Sequence, residues 1–156
     1  MAASQYHFLT RWKIHGPIER VFEILRDGRR YDDWWRPAYR LSEQAGPRKV
    51  RVIVRARLPY RLTFSTEIVR EKPPHEIEIR ADGDLVGRGL WQLSDQTSAE
   101  GHPITDVIFT WEVQAQKPLV RWLSPLLRPI FEWNHDWVMK TGEACLQAEI
   151  DRRSLK

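Results

Sequence analysis

The stretch TDVIFTWEVQAQKPLVRWLSPLLRPIFEWNHDWVMKTGEACLQAEIDR, residues 105–152, decides the fold, because its hydrophobic period changes partway along. From Thr105 to Val113 the apolar Val107, Phe109, Trp111 and Val113 alternate with Asp106, Thr110 and Glu112. A period of two sends successive side chains to opposite faces, which describes a strand with one dry and one wet face. Beyond Pro129 the spacing becomes three and four: Ile130, Phe131, Asn134, Trp137, Val138, Thr141, Cys145 and Ala148 form one helical stripe. Pro125 and Pro129 do not both fit inside a regular helix, since each lacks an amide donor and crowds the preceding turn. The sequence therefore places a long helix from Pro129 to about Arg152, roughly 35 Å at 1.5 Å per residue. Val120, Leu123 and Leu127 suggest a separate helical turn or two before it.

Upstream, the strand rhythm recurs. Tyr6, Phe8, Trp12 and Ile14 share one face, opposite Arg11, Lys13 and His15. Val50, Val52, Val54, Ala56 and Leu58 alternate with Lys49, Arg51, Arg55 and Arg57. Tyr60, Leu62, Phe64 and Ile68 alternate with Arg61, Thr63, Ser65 and Glu67, and Ile77, Ile79 and Ala81 with Glu76, Glu78 and Arg80. Gly46-Pro47, Leu58-Pro59, Pro73-Pro74, Asp82-Gly83 and the polar Ser94–Pro103 separate these runs at hairpin spacing, which makes an antiparallel meander. Two short helices interrupt it: Pro17 through Leu25, stopped at Asp27-Gly28, and a turn over Arg29–Trp34. No repeat, low-complexity tract or linker divides the chain, so residues 1–156 read as one domain.

Bulk chemistry narrows the function classes. With 42% hydrophobic and 29% charged residues, the chain is globular in composition. Its formal charge of +4 comes from 25 basic and 21 acidic residues. The arginines alternate with glutamates across the outer sheet face, so a solvated face explains them and no nucleic-acid partner is expected. Cys145 is the only cysteine, and His7, His15, His75, His102 and His135 lack ligand spacing, so neither a disulfide, a metal site nor a bound cofactor is expected. Gly87-Arg88-Gly89 lies in a strand with no helix behind it, which suits sharp curvature or a bulge rather than a phosphate loop. No signal-peptide core and no run of roughly 20 apolar residues is present, and the expected location is the cytoplasm.

Three segments carry a family resemblance: Trp12–Asp27, with its strand, proline and helix entry; the aromatic Tyr31-Asp32-Asp33-Trp34-Trp35-Arg36-Pro37; and Gly87–Trp91 with Thr105–Trp111 and the closing helix. Together they resemble the START-like, Bet v 1-like (SRPBCC) superfamily, and within it the bacterial polyketide cyclase/dehydrase and lipid-transport type. Gly16 departs from the alanine many relatives carry there, with little consequence for the fold. The resemblance implies an α+β helix-grip fold, in which a curved antiparallel sheet of six to seven strands wraps around the C-terminal helix. It also implies an interior cavity for a small hydrophobic, lipid-like or polyketide-like ligand. Three functions stay open: a binding or carrier protein, which leads; a cyclase or dehydratase; and an interaction protein with a vestigial cavity.

Eight tryptophans stand out, and Trp34, Trp35, Trp91, Trp111 and Trp137 fall on segments that would line that cavity. Phe64, Phe109, Asn134, Val138 and Thr141 complete the expected ligand-binding set, while Trp12 and Trp122 are left to structure or surface. His135 is the candidate acid or base for an enzyme reading, weighed against a structural role. Glu112 faces solvent unless a bulge reverses its strand. The apolar, basic segment Lys117–Arg128 either packs on its own sheet, the favoured reading, or forms a lid that touches a membrane transiently. Monomer and homodimer stay equally open.

Overall fold

A computed structural model of the chain describes residues 5–55, 61–116 and 118–154, with the side chains of 118–125 and 127 outside the description. Seven strands form one antiparallel sheet: β1 Gln5–Ile14, β2 Tyr39–Gly46, β3 Lys49–Val54, β4 Leu62–Lys72, β5 Glu76–Gly83, β6 Leu85–Thr97 and β7 Pro103–Ala115. Their order is β1-β7-β6-β5-β4-β3-β2, so consecutive strands from β2 onward are neighbours and β1 returns to pair with β7. Between β1 and β2 come α1 Ile18–Arg26, a single 3₁₀ turn at Gly28–Arg30 and α2 Tyr31–Trp34. The chain ends in α3, Pro118–Ser154. This is the helix-grip arrangement. The part of the β3–β4 alternation that falls on Ala56–Tyr60, and the turn at Leu58-Pro59, lie outside the described residues.

The alternation reads out as burial. In β7 every second residue from Thr105 to Ala115 is buried, while Asp106, Thr110, Glu112 and Gln114 face the wetter side. The β6–β7 register runs unbroken from Leu85↔Ala115 to Thr97↔Pro103, so Glu112 keeps its outward face. Gly87 has a φ of +158°, and a Cβ there would lie 2.0 Å from the Glu112 carbonyl oxygen. Only glycine permits that backbone approach, and no bulge is needed. α1 seats Ile18, Val21, Phe22, Ile24 and Leu25 in the core, with Pro17 as its extended N-cap. α2 is pinned to β2 reciprocally: the Asp32 amide donates to Ser42 Oγ (2.8 Å) and the Ser42 amide to Asp32 Oδ2 (3.0 Å).

α3 corrects the sequence reading in two ways. It is one helix of 37 residues that runs through both prolines rather than starting at Pro129. Prolines four apart remove donors from a single face, so the remaining i→i−4 bonds carry the helix past them. The buried stripe is also rotated: Phe131, Asn134, Val138, Met139, Gly142, Leu146 and Ile150 point inward, while Thr141, Cys145 and Trp137 sit on its flank and Ile130 is exposed. Gly142 sets that phase. A Cβ there would stand 2.4 Å from Trp35 Cζ2 and 2.9 Å from Trp12 Cζ2, so two indoles press directly on the helix backbone. No described helix is long and apolar enough to cross a membrane.

Candidate functional site

Because the sheet curves away from α3 between its ends, the two do not meet everywhere. The space left is a cavity of about 510 Å³, bounded by the inner sheet face, α1, α2, the β2–β3 turn and α3. Its floor follows from strand pairing. Trp91 lies directly opposite Phe109, and Gly89 opposite Trp111, so three large rings fall on one face of two strands. Trp91 and Phe109 stack at 4.1 Å between centroids, and Phe109 and Trp111 at 5.6 Å. Gly89 lets them lie flat, for a Cβ there would meet Trp111 Cε3 at 2.8 Å and Phe109 Cε1 at 3.0 Å. Phe64 on β4 extends the wall toward β3, 6.3 Å from Trp111.

The opposite wall comes from α2, β2 and α3. Trp35 is anchored by its indole N–H, which donates to the Val138 carbonyl at 3.2 Å. Tyr31 donates to the Leu25 carbonyl at 2.5 Å, and burial pushes its phenol well above the usual range. Tyr39 lines the cavity 5.1 Å from Trp35, and burial likewise raises its phenol, which stays protonated. α3 contributes Asn134, His135, Val138 and Met139. His135 stacks face to face on Phe8 at 3.8 Å, and burial pulls its imidazole down to about 4, so the ring is neutral at neutral pH. Its Nε2 is buried and has no hydrogen-bond partner among the described residues.

Among the described residues, every Asp, Glu, Lys and Arg that lines the cavity falls in three segments: Glu23, Arg26, Asp27 and Arg29; Arg48 and Lys49; and Glu71. These mark the mouth, where the end of α1 faces the β2–β3 turn and the end of β4. Arg29 grips Asp27 through two hydrogen bonds (2.9 and 3.3 Å), which hold that carboxyl below its usual range. Arg26 Nε and Arg48 Nη2 both converge on Glu71 Oε2, at 2.9 and 3.6 Å.

Of the residues expected from sequence, Trp35, Phe64, Trp91, Phe109, Trp111, Asn134 and Val138 line this cavity, as does His135. Trp34, Trp137 and Thr141 do not. Trp34 is buried and stacked on Trp35 at 5.2 Å, and adjacent positions on a helical turn point to different sides, so only one of the two indoles lines the cavity. Trp137 and Thr141 lie on the flank that the Gly142 phase assigns them. Trp12 is a buried strut between Trp35 and Trp91, at 5.7 and 5.4 Å. Trp122 falls outside the described side chains, as does most of the expected lid. Its last residue, Arg128, donates to the Gln5 carbonyl at 2.7 Å and lies 4.5 Å over the Tyr6 ring. Sequence reasoning missed Tyr31, Tyr39 and the charged mouth. A spacing of four through Tyr31, Trp35 and Tyr39 was the available signal for the tyrosines. The mouth has none, since its charges converge from three separate elements.

A family model described as polyketide cyclase / dehydrase and lipid transport matches residues 7–142. No curated protein matches the sequence. Among solved structures, a conserved protein from Geobacillus kaustophilus superposes with a TM-score of 0.70 at 14% identity, over 94% of this chain and 96% of its own. The Zhui aromatase/cyclase from Streptomyces sp. R1128 gives 0.67 at 16% identity, over 96% of each chain. A START superfamily protein from Mycobacterium smegmatis gives 0.63 at 14% identity, over 94% and 97%. At such identities the likeness is one of fold.

Proposed function

The chain belongs to the polyketide cyclase/dehydrase and lipid-transport family, and from that premise we propose that it binds a small hydrophobic ligand, lipid-like or polyketide-like, in its interior cavity. One observation carries this reading: about 510 Å³ is kept open between sheet and helix and walled mainly by aromatic and aliphatic side chains. Protein interiors otherwise pack to crystal density, and a void of this size falls within the range that ligand pockets occupy. The flat stack of Trp91, Phe109 and Trp111 offers dispersion and ring contacts on the order of 0.5–1.5 kcal/mol each beyond area burial. The Zhui aromatase/cyclase shares this fold, and its named activity is in keeping with a ring-bearing ligand.

Binding takes precedence over catalysis because burial pulls the His135 imidazole down to about 4, which makes it a weak base at neutral pH, and no charged partner among the described residues activates it. Native mass spectrometry of freshly purified protein tests the proposal. The expected result is an added mass that organic extraction removes, after which the neutral dye N-phenyl-1-naphthylamine enters the emptied cavity with a fluorescence rise. A protein that carries no adduct and leaves the dye dark overturns it.

A further inference from the structure

The distribution of charge around the cavity says more about the ligand than its volume does. Deep inside, the walls offer rings, aliphatic chains and neutral polar groups such as Thr66, Asn134 and Tyr39. Among the described residues, a ligand's charged group buried there would find no counter-charge, which is costly in a low-dielectric site. At the mouth the balance tips toward positive: Arg26, Arg29, Arg48 and Lys49 stand against Glu23, Asp27 and Glu71. Asp27 is committed to Arg29. Arg26 from α1 and Arg48 from the β2–β3 turn share one oxygen of Glu71, so a single carboxylate serves two guanidinium groups. Glu71 is the recessed member, 17% exposed, and the two arginines are about half exposed (54% and 51%).

From this arrangement we infer that the mouth is a binding site for the anionic end of an amphiphilic ligand, a carboxylate, sulfonate or phosphate held by Arg26 and Arg48 while the apolar body fills the cavity. The inference rests on the cavity-binding proposal and adds the sign and place of the ligand's polar end. Glu71 stands where that anion would sit and competes with it for the same donors. Guanidinium forks suit such oxyanions because their N–H groups pair with two oxygens at once. Their partial exposure leaves the site reachable and makes its contribution sensitive to salt.

Two dyes that share one scaffold isolate the contribution of the anion. N-phenyl-1-naphthylamine is neutral, and 1-anilinonaphthalene-8-sulfonate adds a sulfonate to the same ring system. At low salt the sulfonate is expected to bind at least tenfold more tightly, and that preference is expected to shrink in 0.5 M sodium chloride. Arg26→Gln with Arg48→Gln, its folding verified by thermal unfolding, is expected to bring the ratio of the two affinities to within about twofold. Glu71→Gln moves the ratio the other way, further toward the sulfonate, because the competing carboxylate is gone. A sulfonate that binds no tighter than the neutral dye, or a preference that survives the double substitution or falls in Glu71→Gln, overturns the inference and leaves cavity binding standing. A neutral dye that does not bind, to a protein that also purifies without an adduct, overturns the cavity proposal, and this inference falls with it.

Discussion

At the residue scale, His135 shows how burial turns a titratable group into a neutral part of the wall. Desolvation, without a counter-charge, lowers its imidazole from 6.5 to about 4. Because the folded protein resists protonation there, the unfolded chain binds the proton first as pH falls. Stability is therefore unaffected by this group above about pH 6.5, and it declines as pH drops from there toward 4. The full decline is on the order of 3 kcal/mol, at about 1.4 kcal/mol per unit of pKa. His135→Phe keeps the stack on Phe8 and removes both the proton site and the orphaned Nε2. Its unfolding midpoint is expected to exceed that of the unsubstituted protein increasingly below pH 6.5. A constant difference from pH 8 to pH 4 would show that the imidazole titrates as it does in water. The sequence singled out His135, but its neutrality comes from burial against elements distant in sequence, among them Phe8 on β1 stacked 3.8 Å away, which spacing cannot reveal.

At the element scale, α3 is where pattern and packing part company. The periodic reading placed its inner face along Ile130, Phe131, Asn134, Trp137, Val138, Thr141, Cys145 and Ala148, of which Phe131, Asn134 and Val138 are buried and the others are not. The actual inner face centres on Gly142, a residue with no side chain to score, chosen because Trp35 and Trp12 occupy the space a Cβ would need. Gly142→Ala puts two effects in opposition. Alanine is favoured over glycine in a helix by roughly 1 kcal/mol, but its methyl would lie 2.4 Å from an indole fixed by the Val138 carbonyl. Overpacking a rigid core costs typically 1–3 kcal/mol, so the expected outcome is a net loss of stability, read as a lower denaturant midpoint. A gain would mean that Trp35 moves freely. Elsewhere the elements were legible where one face is buried: β1, β4, β5 and β7 all announce themselves by alternation. β2 did not, because this edge strand buries only Ser42 and shifts register between Tyr39 and Leu41 and again near Gly46. Without a dry face there is no period to read.

At the scale of the whole molecule, the fold keeps a hollow that its own side chains could have filled, and stability and binding should therefore trade against each other. Val138 is the place to test this, since it lines the cavity from α3 and its carbonyl, not its side chain, holds Trp35. Val138→Phe extends a ring into about 510 Å³ of open space, so room exists without strain. Phenylalanine and valine have similar helix propensities, and the added buried apolar area is worth on the order of 1 kcal/mol. For a chain of this length that corresponds to a rise of roughly 2–4 °C in the unfolding midpoint of the empty protein. The same ring occupies volume the ligand needs. Saturating N-phenyl-1-naphthylamine stabilises the unsubstituted protein by RT ln(1 + [L]/Kd), about 2.7 kcal/mol at a hundredfold excess over Kd, and it is expected to do far less for Val138→Phe. The two midpoints should thus move in opposite directions, higher without dye and less responsive with it. A substitution that lowers the empty protein's midpoint would mean that the cavity is already packed against α3. One that leaves the dye response intact would place the dye outside the cavity, because a ligand lodged between α3 and the stacked rings of β6 and β7 must meet the new side chain.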